Sequence, residues 1–152
     1  MHARMTNPAT AVPDALPALI ALGASVTRTG VPEATLNLVH LRASQINGSA
    51  WNVSKHAADL KQSGESDERV FAVAAWREAP YFTDAERAAL ALAEAATRLG
   101  DRADAVPDTI WDEAARHYDE QQLAGLLLAI GLGNLWHRLM TTTRQPAAPV
   151  TS

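Results

Sequence analysis

The stretch LNLVHLRASQINGSAWNVSKH, residues 36–56, is two helical segments broken at Asn47-Gly48, and that break constrains the rest of the chain. Asn and Gly tolerate the left-handed conformation that ends helices. The pair stops the first segment, and a second begins near Ser49 as its N-cap. The first segment carries Leu36, Val39, Leu41, Ala43 and Ile46 on more than one side. A helix apolar on several sides belongs inside a fold, so its neighbours must surround it.

The neighbours have the right period. Asp14 to Thr27 suits a short amphipathic helix, and Pro32 suits the first position of the buried one. Residues 49–63 carry Trp51, Val53, His56 and Leu60 up to Gly64; Ser66 to Trp76 forms another helix with Val70, Val73, Ala74 and Ala75 inward. Thr83 and Glu86 make a capping box for a helix to Leu99, in which Glu94 and Arg98 pair one turn apart. Pro107-Asp108 opens a helix to His117, and Asp119 to Thr142 gives the last, with Gly125, Gly131 and Gly133 permitting close approach. No segment alternates with period two between turn residues, so strands are not expected. The expectation is an all-α domain of about seven helices over residues 14–144. Residues 1–13 read as a flexible arm and 145–152 as a disordered tail. Apolar surface spread over short helices points to burial between subunits, hence a homo-oligomer.

Composition narrows the chemistry. The 152 residues are enough for a core, and the net charge of −4 comes without any basic block, which argues against nucleic acid. Cysteine is absent, so neither disulfides nor thiol redox chemistry is available within the chain. The first residues lack an apolar signal-peptide core, and the run Leu123–Leu132 is too short to span a bilayer. A cytoplasmic protein with no membrane partner is expected. His2, His40, His56, His117 and His137 are scattered without an HxxxH pair. Neither a metal nor a cofactor is therefore expected.

At LRASQING, residues 41–48, the chain resembles the carboxymuconolactone decarboxylase superfamily in its AhpD-like (alkylhydroperoxidase D) branch. WREAPYFTDAERAALALAEAATRL (76–99) looks like the family's second block, and GLGNLWHRLMTTTR (131–144) like its C-terminal helix. The resemblance implies a Cys-x-x-Cys at a helix N-terminus, a His four residues beyond it and a relay Glu twelve residues before it. In that chemistry one thiolate attacks a peroxide and the second resolves the sulfenic acid. The resemblance also implies dimers, trimers or hexamers with pockets at subunit contacts. Here the cysteine positions fall on Ser49 and Asn52 and the relay Glu on Asn37; only His56 is kept. A serine hydroxyl is not ionised near neutral pH and has no sulfenic-acid cycle, so thiol peroxidase activity is not expected.

Three readings remain open at the level of sequence. In the first, the redox centre is lost and the protein is a binding or structural homologue, with Ser49 a helix cap, Asn52 a polar replacement and His56 inert. The second is a cysteine-free enzyme in which His56 moves a proton during decarboxylation or isomerisation of a small lactone or keto acid. Ser49, Asn52 and His56 share one helix face for it, and His40 is a candidate contributor. The third is a partner of an active, cysteine-bearing paralogue. An open pocket beside His56 favours the second and a filled core the first. Arg42, Ser44 and Gln45 are expected to hold the Asn47-Gly48 turn, and His137 to be core.

Overall fold

The computed structural model describes residues 2–100 and 103–147. Among these residues there are eight α-helices and no strand: α1 Pro8–Ala11, α2 Ala15–Val26, α3 Glu33–Asn47, α4 Ala50–Gln62, α5 Asp67–Ala72, α6 Asp84–Thr97, α7 Asp108–His117 and α8 Glu120–Thr142. A 3-10 turn, Val73–Ala75, extends α5.

Helix α3 is the buried one, packed against α4, α6 and α8. Its two apolar stripes face different cores. Leu36 and Val39 join Val26, Leu92, Leu126 and Ile130, while Leu38 and Leu41 join Leu60, Val73, Trp76 and Leu90. One helix thus closes two cores, and each fully buried Leu or Val contributes about 1.5–3 kcal/mol of burial free energy. Gly48 ends α3 at φ 63°, and the Ser49 N–H returns to the Ser44 carbonyl at 3.0 Å. Both capping boxes form, the one at Thr83/Glu86 and a second at Asp119/Gln122 that starts α8.

Three expectations are corrected. Residues 2–13 are not a loose arm: α1 is capped by Asn7, Ala9 is buried, and the Arg4 N–H donates to the Thr143 carbonyl at 2.8 Å. The N-terminal segment therefore lies on the end of α8. The tail's Gln145 is tied in by its amide to the Met5 carbonyl, and residues 148–152 lie outside the described residues. Ala74 and Ala75 point outward, because tightening to a 3-10 turn rotates them off the face that buries Val70 and Val73.

Helix α8 covers the span expected of the last helix, but its apolar stretch runs beyond residues 123–132. It is 23 residues, with a stretch of mean hydropathy 1.3, half of it buried within the fold. By length and composition it would cross a bilayer, but here it packs on α2, α3, α6 and α7. A Cβ at Gly125 would stand 2.2 Å from Thr29 Oγ1, so that glycine sets the approach of α8 to the α2–α3 connection.

Candidate functional site

Helices α3, α4 and α8 bring three histidines together below the Asn47-Gly48 break. His40 on α3 and His56 on α4 stack, with ring centroids 4.8 Å apart and planes 15° from parallel. Nδ1 of each ring is buried and has no hydrogen-bond partner. Leaving a buried polar atom unpaired costs about 1–3 kcal/mol, so native folds rarely keep such atoms except for a purpose. Gly133 of α8 makes room, since a Cβ there would sit 3.1 Å from His40 Nδ1.

His137, 1% exposed, is treated differently. The Ser44 hydroxyl lies 2.7 Å from the His40 carbonyl and 2.9 Å from His137 Nε2. Its single proton goes to the carbonyl, so Nε2–H donates to Ser44 Oγ. Nδ1 is then bare and accepts from the Asn47 amide at 2.9 Å; the other amide proton reaches Asn134 Oδ1 at 2.8 Å. This closed network locks α3 to α8 and is consistent only with neutral His137. Of the residues expected to hold the turn, Ser44 and Gln45 do so through their carbonyls, which accept from the Ser49 and Gly48 N–H groups. Arg42 instead donates to Glu94 at 2.6 Å.

Burial pushes all three imidazoles down: His40 and His137 to about 4, and His56 to about 3 with help from His40, Lys55 and His137. In the unfolded chain each titrates near 6.5. Below that value the unfolded state binds protons the fold refuses, so stability rises with pH and is lost as pH falls from 6.5 towards 4. Each unit of depression corresponds to about 1.4 kcal/mol per group. Urea unfolding at a series of pH values is expected to show uptake of on the order of three protons near pH 5. A midpoint unchanged between pH 7 and 5 would contradict the buried, neutral trio.

Space adjoins the stacked pair. A cavity of about 170 Å³ is lined by Asn37, His40 and His56 together with Leu36, Ala129 and Leu132. A second, of about 430 Å³, lies between α1, α2, α4 and α8 and is bordered by His56 and Asn52. Of the residues expected at the site, Asn37 and Asn52 each border a cavity that His56 lines, on different sides. Ser49 borders neither and lines a separate cavity with Trp51 and Arg144. Ser49 occupies the N-cap position of α4, but its hydroxyl does not cap; it accepts from the Asn52 amide at 2.8 Å. The two family cysteine positions are thus paired with each other, and both are buried.

Asp59 lies one turn beyond His56, its Oδ2 3.7 Å from His56 Nδ1, too far for a hydrogen bond. Both its oxygens are taken by Lys55 at 2.8 and 2.9 Å. The two side chains are 49% and 28% exposed, so the pair contributes at most about 1 kcal/mol. The stacking of His40 on His56 escaped sequence reasoning: the two are sixteen residues apart on different helices, and only the reversal at Gly48 places them together.

The comparisons agree with this geometry. The carboxymuconolactone decarboxylase family model matches residues 13–95. YdfG of Bacillus subtilis is 32% identical over 121 residues, covering 80% of this chain and 81% of that protein. YnjA of Escherichia coli is 34% identical over 111 residues, 73% of this chain and 59% of its own length. Among solved structures, ATU0492 of Agrobacterium tumefaciens, a protein of unknown function for which an AhpD-type antioxidant defence role has been suggested, superposes with a TM-score of 0.90. It is 31% identical, with 99% of this chain and all of that one covered. The debrominase Bmp8 shares the fold at a TM-score of 0.82 and 19% identity, over 92% of this chain and 74% of its own. The chain belongs to the carboxymuconolactone decarboxylase family and has the AhpD-like all-helical fold.

Proposed function

We propose that this protein is a cysteine-free, cytoplasmic member of the family that has given up thiol peroxidase chemistry and performs acid–base chemistry on a small lactone or keto acid at His56. One observation carries the reading. Two stacked imidazoles, held neutral by burial, keep their Nδ1 atoms unpartnered, and the same two residues line a cavity, where an inert core would have paired the atoms and filled the space. A neutral imidazole is the form a general base requires. It removes a proton from the carbon beside a carbonyl and returns it to another carbon, or takes the O–H proton of the enol left by decarboxylation and delivers it to carbon. The enolate forming beside the ring supplies the negative charge that makes the imidazolium affordable in a dry site. Exposed Ile20, Leu128 and Leu135 support the self-association expected from the family.

The test is turnover of a panel of β-keto acids and enol-lactones in deuterated buffer, scored by carbon dioxide release and by deuterium at carbon. At least one member is expected to react, and His56→Asn to slow it by about 10²–10⁴-fold. Equal rates for the two proteins, or no reaction across the panel, would count against acid–base catalysis and leave a binding or structural homologue.

A further inference from the structure

His56 stands between two cavities of opposite character. On the His40 side the space is about 170 Å³, with Glu33 in its lining. On the other side a cavity of about 430 Å³ is walled by Leu16, Trp51, Trp136 and Met140, and Lys55 carries the charge in its lining. The larger one is in the range that encloses a small ligand, and two indoles offer it flat apolar surface.

Taking His56 as the acid–base group, we propose that this larger cavity binds a small apolar acid whose carboxylate draws Lys55 from Asp59, freeing Asp59 to accept a hydrogen bond from His56 Nδ1. Lys55 has three ammonium donors and both its recorded bonds go to Asp59, through an exposed pair that is weakly held. A ligand carboxylate offers the same chemistry from inside the cavity. Asp59 Oδ2 is already 3.7 Å from Nδ1, and a shift of about 1 Å brings it within hydrogen-bond length. The His56 Nδ1, which has no partner in the fold, then gains its acceptor. With Nδ1–H held by Asp59, Nε2 becomes the basic nitrogen.

The charged and titratable groups around His56 are His40 on α3, Lys55 and Asp59 on α4, His137 on α8, and Glu33 across the smaller cavity. Ligand binding replaces the influence of Lys55 by that of Asp59, so protonation of His56 becomes easier when the cavity is filled. Asp59 is a positioning residue here: it acts through the imidazole and does not touch the ligand.

The experiment uses 2-naphthoate and its neutral analogue 2-naphthamide. Affinity is read from tryptophan fluorescence, and the His56 tautomer at pH 7 from the nitrogen-15 shifts of its ring. The acid is expected to bind about tenfold more tightly than the amide, a preference lost in Lys55→Met. Bound naphthoate should fix the Nδ1–H tautomer of neutral His56 at pH 7 in the unaltered protein and not in Asp59→Asn, which still binds it. Equal affinity for acid and amide, absence of saturable binding by either, or a ligand-induced tautomer change that survives Asp59→Asn would overturn the proposal. Turnover by His56 is scored separately, so the Lys55–Asp59 exchange can fail while His56 remains catalytic, and the reverse.

Discussion

Given a hydroperoxide and a dithiol reductant, the natural protein is expected to show only the background rate, while the Asn37→Glu, Ser49→Cys, Asn52→Cys variant turns over. The geometry for the second half of that statement is in place. Ser49 begins α4, where the helix dipole favours a thiolate. Its Oγ already lies 2.8 Å from the Asn52 side chain, so sulfurs at the two positions face each other within reach of a disulfide. Asn37 and His56 line one cavity, and a carboxylate at residue 37 restores the charge that the family relay uses. If only the variant reacts, the scaffold has kept its architecture and lost its redox groups. If neither reacts, the surroundings have diverged beyond these positions, and the stacked histidines become the feature that distinguishes this chain. Peroxide consumption by the natural protein, with trace metals and thiol contaminants removed, would refute the absence of peroxidase chemistry.

The break at Asn47-Gly48, the buried helix before it and the capping box at Thr83 were legible because each rests on local chemistry: a left-handed turn, a two-sided apolar pattern, a hydroxyl three residues before a carboxylate. The docking of residues 2–13 was not. Their composition is that of a linker, and only Arg4 and Asn7 meeting the end of α8 gives them a place. The candidate site divides along the same line. Positions 37, 49, 52 and 56 are found by laying the family's motif on the chain. What they touch depends on how α3, α4 and α8 cross. Ser49 carries the composition of a cap and spends its hydroxyl on Asn52; Asn134 and His137 look like core polar residues and form a network with Asn47 and Ser44. Glu94 is the sharpest case. Sequence spacing pairs it with Arg98, and in the fold that contact is its longest, at 3.9 Å.

Replacing Glu94 by Ala is expected to cost about 3–5 kcal/mol, which for a chain of this size lowers the melting temperature by roughly 10 °C. Glu94 is 4% exposed on α6 and receives Arg42 Nε at 2.6 Å from α3, Trp76 Nε1 at 3.1 Å and Arg77 at 2.6 Å. Removing the carboxylate leaves the part-buried Arg42 guanidinium without its anion and a buried indole N–H without an acceptor, and both penalties act on the junction of the second core. Arg77 is 57% exposed, so Arg77→Ala should cost about 1 kcal/mol or less, and similar losses for the two variants would show that no hub exists. The pH dependence separates this site from the histidines. Burial pushes the Glu94 carboxyl up, but the bonds from Arg77, Trp76 and Arg42 outweigh it and hold the group below the usual carboxylate range. Its contribution is therefore intact above the unfolded value near 4.5 and is lost as pH falls through the lower folded one. The histidine penalty already grows between pH 6.5 and 5. Both the natural protein and Glu94→Ala should lose stability over that interval, with the gap between their melting temperatures unchanged. A gap that closes by pH 5 would mean that Glu94 takes up its proton in the fold far earlier than its four partners allow.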